Sequence, residues 1–365
     1  MSKLLAITPL DGRYRGKIAE IEEFVSEFAL IKARVEIEIK YLIALSKIGV
    51  VRKLGNKEIK LLESLHKNFD IKDAEKVKLV ESKINHDVKA VEIYLREILG
   101  KISLADLTEF IHFGLTSEDI NNLAYRFMLK RTTQKVIIPT LNILISELSL
   151  ISKKYASTPM LARTHGQPAV PTTVGKEIAV FASRLSPELK KLKRIQFTGK
   201  LNGAVGNYNA LHFAYPKIDW IKFSKNFVSS FDFEFSLATT QINPSEDIIE
   251  FFQAIQRING IILDLNQDFW RYISDGWFGL KSAKDEVGSS TMPQKINPID
   301  FENSEGNLEL ANGLIEVFTR KLAVSRLQRD LSGSTILRNI GTVLGFCLLA
   351  YKNTSAGISK ISVNE

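Results

Sequence analysis

Apolar residues recur in steps of three and four along most of this chain, the spacing of helices that bury one face. After Ile248 the positions Phe252, Ile255, Ile258, Ile262, Leu265, Phe269 and Tyr272 form such a seam. The preceding Asn243-Pro244-Ser245-Glu246-Asp247 supplies a turn, a capping hydroxyl and first-turn acids. Together they predict one helix of about 40 Å at 1.5 Å per residue. A second seam runs through Val174, Ile178, Phe181, Leu185, Leu189, Leu192 and Ile195, and a third through Leu308, Ala311, Leu314, Phe318 and Leu322. Pro187 lies inside the second, where it removes one backbone donor; the apolar spacing continues past it, which predicts a kink and no break. Three long seams imply a helix bundle, and alternating strand patterns are nearly absent.

The first hundred residues carry shorter periodic runs, predicting helices over 18–48, 56–66, 71–80 and 87–99, with Gly49, Gly55 and Gly100 as stops. The expected architecture is all-α: a small N-terminal helical domain over 1–104, then a long central bundle over 105–365. Loops are expected over 159–171, 201–209 and 273–298, where proline, glycine and the chemically unusual residues concentrate.

Composition narrows the function. A chain of 365 residues, 45% hydrophobic, can fill a large core. No apolar run approaches the roughly 20 residues of a membrane span, the longest lying around 343–350. At the N-terminus Pro9 and Asp11 interrupt any signal-like apolar stretch, so a cytoplasmic location is expected. The single cysteine, Cys347, sits in an apolar run and reads as core, with no disulfide within the chain. A net charge of +8 fits an anionic small substrate or simply a lysine-rich surface. Basic residues are spread without interleaved aromatics, which disfavours a nucleic-acid partner. His66, His86, His112, His165 and His212 lack metal-ligand spacing, and no metal is expected.

The most informative segment is residues 288–298, Gly-Ser-Ser-Thr-Met-Pro-Gln-Lys-Ile-Asn-Pro. An arbitrary serine pair in a loop usually caps a turn. Here the whole segment resembles the signature of the fumarase/aspartase superfamily, Gly-Ser-Ser-x-Met-Pro-x-Lys-x-Asn-Pro. That resemblance implies elimination, which needs a base for a carbon-bound proton, a cation for the carboxylate that absorbs charge, and an acid for the leaving nitrogen. It implies Ser289 as base, Lys295 and Asn297 steadying the developing dianion, and Ser290 in contact with substrate. The Gly- and Ser-rich stretch over 282–291 suits a lid that excludes water.

Other segments are similar to the adenylosuccinate lyase family within that superfamily. Thr164-His165-Gly166-Gln167-Pro168 resembles the element holding the family's general acid, implying His165 as proton donor. Asn85-His86-Asp87 resembles its histidine-aspartate element; His86 would bind phosphate or assist the leaving group, with Asn85 and Asp87 beside it. Thr116 and Ser117 can cap a helix and, in the family, touch the succinyl carboxylates. Asp11-Gly12-Arg13-Tyr14 and the run 326–339 resemble its nucleotide contacts, implying that Arg13, Tyr14, Arg329, Ser334, Thr335 and Arg338 hold phosphate and ribose. Gln241 would meet substrate and Asn303 nucleotide.

The resemblance spans nearly the whole chain and implies fumarate release from two purine nucleotides, adenylosuccinate and succinylaminoimidazole-carboxamide ribotide. It implies no cofactor, and a homotetramer whose active sites are shared between subunits. Gln294 stands where many members carry histidine. Members usually continue into a further small helical domain, expected to be absent here. Argininosuccinate lyase, another superfamily lyase, or an inactive helical scaffold are the alternatives these residues leave open.

Overall fold

The computed structural model describes residues 3–281, 292 and 295–364. Short helical turns lead to Ser26, whose ψ of 169° is extended and whose hydroxyl accepts the Ala29 amide at 3.2 Å. This cap starts helix α1 (Glu27–Lys47), so the helix expected from residue 18 is divided there. Helix α1 is buried on nearly every side, and α2 (Asn56–Lys67), α3 (Ile71–Ile84) and α4 (Asp87–Gly100) surround it. Helix α3 runs past the expected end at 80. It stops where Asn85 turns left-handed at φ 52°, a conformation asparagine tolerates because its short polar side chain bonds locally.

Helix α5 (Ser117–Thr132) packs on α1 and continues through one π turn at Thr133–Ile137 into α6 (Ile138–Lys154). The rod is about 57 Å long at 1.5 Å per residue. The wider turn sits just before Pro139, which has no amide for the regular ladder. An antiparallel hairpin follows, β1 (Pro159–Thr164) with β2 (Gln167–Thr173), where a loop was expected. Its prolines are tolerated because a lone two-stranded ribbon is all edge, leaving positions that need no ladder donor.

Helix α7 (Val174–Leu192) is continuous through Pro187, as its unbroken apolar spacing requires. Strand β3 (Thr198–Gly199), helix α8 (Trp220–Ser229) and strand β4 (Glu234–Phe235) precede α9 (Glu246–Ser274), the long helix of the first seam. After β5 (Phe278–Leu280) come α10 (Ile299–Leu322), α11 (Ser332–Leu337), α12 (Ile340–Lys360) and β6 (Ile361–Val363), which pairs back onto β5.

Helices α6, α7, α9, α10 and α12 close into a ring, each packed on the next and α12 on α6. Ile255, Ile262, Leu265, Phe269, Leu308, Ile315 and Val343 fill its interior. Polar pairs set the helix register: the Tyr351 hydroxyl donates to Asn259 Oδ1 at 2.6 Å, and Asn266 Nδ2 to Ser304 Oγ at 2.9 Å. A mismatched register would strand these groups in apolar surroundings.

By length and hydropathy the helical stretches 117–154 and 332–360 could cross a membrane, contrary to the estimate from continuous apolar runs. In the fold they are bundle elements, with Leu141, Leu144, Leu148 and Leu344 to Tyr351 inside the core.

Candidate active site

The left-handed Asn85 ends α3 and delivers His86, in extended conformation, to the start of α4. His86 Nδ1 accepts the Lys89 amide at 3.1 Å, so the ring is held by one nitrogen and offers the other to solvent. Its separation from the Asp87 carboxylate, 4.0 Å, is too long for a hydrogen bond. Asp87 instead receives Arg34 at 2.7 Å and Arg338 at 2.6 Å on the same oxygen, Oδ2. Burial would raise its pKa, but the two guanidinium charges outweigh burial and hold the carboxyl down to about 2.

Arg34 projects from the buried helix α1 and also donates Nε to Asn121 Oδ1 at 2.9 Å. Asn121 lies one turn into α5 and donates to Glu118 at 3.2 Å. Thr116 is the N-cap of α5, and Asp119 accepts its amide at 2.9 Å. Thr116 therefore caps the helix, and it and Ser117, the first helical residue, stand half-exposed at a start rich in free amide groups, which suits an anionic ligand.

Glu118 pairs with Arg329 at 3.0 Å. Arg329 Nη1 donates to Gln241 Oε1 at 3.2 Å and its Nη2 reaches Ser334 Oγ at 3.5 Å. Asp330 accepts the Ser332 amide at 2.8 Å, which opens the short helix α11. That helix carries Ser334 and Thr335 and sends Arg338 back to Asp87. Through Arg34, Asn121 and Glu118 the fold thus joins Asp87, Gln241, Arg329, Ser334 and Arg338, from three separate segments, into one polar chain, and Thr116 and Ser117 precede Glu118 at the start of α5.

A second group forms near the start of α10. Asn303 Nδ2 donates to the Tyr14 hydroxyl at 3.1 Å, and Asn353 Nδ2 donates to Asn303 Oδ1. Arg13 is exposed, its guanidinium 5.8 Å from the Tyr14 ring centre.

Ser289, Ser290 and Gln294 lie outside the described residues, as does the expected lid over 282–291. Lys295 is exposed and Asn297 half-buried just before α10. His165 stands exposed at the hairpin tip, with φ of 52° and 72° at His165 and Gly166. Both residues of this two-residue turn need positive φ, which explains the glycine and places the imidazole on a stiff, solvent-facing corner. His165 has no hydrogen-bond partner among the described residues.

Arg34, Glu118 and Asn121 were not singled out from the sequence. Their partners lie far along the chain, 53 residues away for Arg34 and Asp87. The available signal was a charged residue among the apolar positions of α1. His112 is a further case, its Nδ1 bonded to Glu38 at 2.5 Å. Burial opposes its charge, but Glu38 outweighs burial and raises its pKa.

Comparison with known proteins places these elements. A family model described as Lyase matches residues 12–312, and one described as Adenylosuccinate lyase C-terminal matches residues 325–365. The chain is 48% identical to the adenylosuccinate lyase of Haemophilus influenzae, over all of this chain and 81% of that protein. It is 47% identical to that of Buchnera aphidicola, over all of this chain and 79% of the relative, and 44% identical to that of Escherichia coli, over all of this chain and 81% of the relative. Among solved structures, a β-carboxy-cis,cis-muconate cycloisomerase from Acinetobacter calcoaceticus superposes with TM-score 0.77 at 16% identity, covering 96% of this chain and 78% of its own. A fumarate lyase from Mesorhizobium does so with TM-score 0.77 at 15% identity, covering 94% and 75%. At such identities these two structures speak for the fold alone.

Proposed function

The chain belongs to the adenylosuccinate lyase family, and we propose that it releases fumarate from adenylosuccinate, giving AMP, and from succinylaminoimidazole-carboxamide ribotide in purine biosynthesis. It is a C–N lyase. The observation that carries the substrate reading is the polar chain from Asp87 to Gln241. It brings two arginines, the start of α5 and the Ser334 hydroxyl together, which supports an anionic nucleotide as the ligand.

In the proposed reaction Ser289 removes the proton from the succinyl carbon adjacent to a carboxylate. Lys295 and Asn297 hold the charge that develops there, and His165 protonates the departing nitrogen. Thr116 and Ser117 receive a succinyl carboxylate, with Ser290 and Gln241 beside it. Arg13, Tyr14, Asn303, Arg329, Ser334, Thr335 and Arg338 hold phosphate and ribose. His86, oriented through Nδ1 and flanked by Asn85 and Asp87, serves the phosphate or the leaving group. No cofactor takes part.

We further propose a cytoplasmic homotetramer with shared active sites, residues 1–104 forming a small domain beside the bundle over 105–365. Supporting this, bundle helices expose Ile143 (56%), Leu150 (67%) and Leu310 (55%), and the hairpin presents His165 outward. Fumarate release from adenylosuccinate, abolished in Ser289→Ala and His165→Ala, is the expected result. A folded protein that binds AMP but yields no fumarate refutes the lyase reading, and a monomer by light scattering refutes the shared site.

A further inference from the structure

Between β3 and α8 the chain makes a tight excursion whose anchor is fully buried. Lys200 and Asp119, both with side chains at 0% exposure, pair at 3.0 Å. Asp119 lies in the first turn of α5, and its carboxylate also accepts the amides of Asn202 at 3.0 Å, Gly203 at 3.1 Å and Thr116 at 2.9 Å. Lys200 Nζ donates to the Gly203 carbonyl at 3.0 Å. One ion pair therefore fastens the start of α5 to the loop over 200–206.

A buried pair of this kind is a poor way to gain stability, because removing both charges from water costs about what their attraction returns. What it supplies is geometry, and the loop passes that geometry on. Asn202 Nδ2 donates to Thr239 Oγ1 at 2.8 Å. At Gly206, with φ 76°, a Cβ would fall 2.2 Å from the Thr239 carbonyl, so the two backbones touch. The Ala204 carbonyl accepts Gln241 Nε2 at 2.8 Å, which leaves Gln241 Oε1 facing Arg329.

We infer that Lys200 and Asp119 are positioning residues for the lyase reaction: their pair sets the Thr116–Ser117 helix start and the Gln241 amide in mutual register, without touching substrate. This inference rests on the lyase reading above. A loop released from the pair moves both ligand groups at once, and a displacement of about 1 Å costs roughly 100-fold in rate.

The test compares wild type with Lys200→Met, Asp119→Asn and the double variant, which leaves no unpaired charge to unfold the core. Tyr351→Phe, a buried change in the bundle, serves as a control for lost thermal stability. Fumarate release gives kcat and KM separately, and calorimetry with AMP gives nucleotide affinity whether or not turnover occurs. The expected result is a kcat/KM about 100-fold lower and AMP affinity at least tenfold weaker in the double variant, with Lys200→Arg recovering part of both and the control near wild type. A folded double variant with wild-type kinetics and AMP affinity overturns the inference. Absence of fumarate from wild type overturns the lyase reading instead, and the AMP comparison then decides the role of the pair.

Discussion

Replacing Asp87 by asparagine removes the charge that two arginines share. The shift of its carboxyl from 3.8 to about 2 corresponds to about 2.4 kcal/mol at 1.36 kcal/mol per pH unit. The group keeps partial access to water, so screening reduces this to about 1–2 kcal/mol. Because the folded pKa is lowered, this stability is fully present above the unfolded value near 3.8 and disappears as pH falls through about 2. Urea unfolding of wild type and Asp87→Asn should therefore show a gap that is constant from pH 7 to pH 5 and narrows by about 1–2 kcal/mol between pH 4 and pH 2. The same variant should bind AMP more weakly, since Arg338 loses the contact that orients it. A gap that does not change with pH refutes the assignment of the lowered pKa to the two arginines.

Asp247→Asn breaks the doubly bonded pair with Arg126, buried at 4% and 3% exposure, and should cost about 3–5 kcal/mol in thermal or urea unfolding. Gly357→Val places new carbon against the Phe301 ring, where even a Cβ would sit 2.7 Å away; overpacking of about 1–3 kcal/mol should appear as a lowered melting midpoint. Glu38→Gln removes the anion that raises the His112 pKa. The stability of that pair is present below the ordinary value of 6.5 and lost as pH rises through the raised one, so wild type should exceed the variant by more at pH 6 than at pH 9.

The helices were legible because burial leaves a mark at every turn: the seam from Ile248 to Phe269 lies inside, as its spacing implies. Boundaries were less legible where one side chain decides them. The Ser26 hydroxyl divides a periodic run, and the left-handed Asn85 ends α3 four residues late. The 159–173 hairpin was hidden because its prolines argue against a strand, and only the pairing of two segments shows that each lies on an edge.

The sequence by itself determined the helical class and the family, since periodicity and short motifs are local properties of the chain. Tertiary structure alone decided who holds whom. Arg34 joins Asp87 to Asn121, Arg329 joins Glu118 to Gln241, and Lys200 meets Asp119 across 81 positions. Such pairs carry no periodicity and no fixed spacing. They exist because burial requires each charge to find a partner, and which partner is near is settled only when the helices pack.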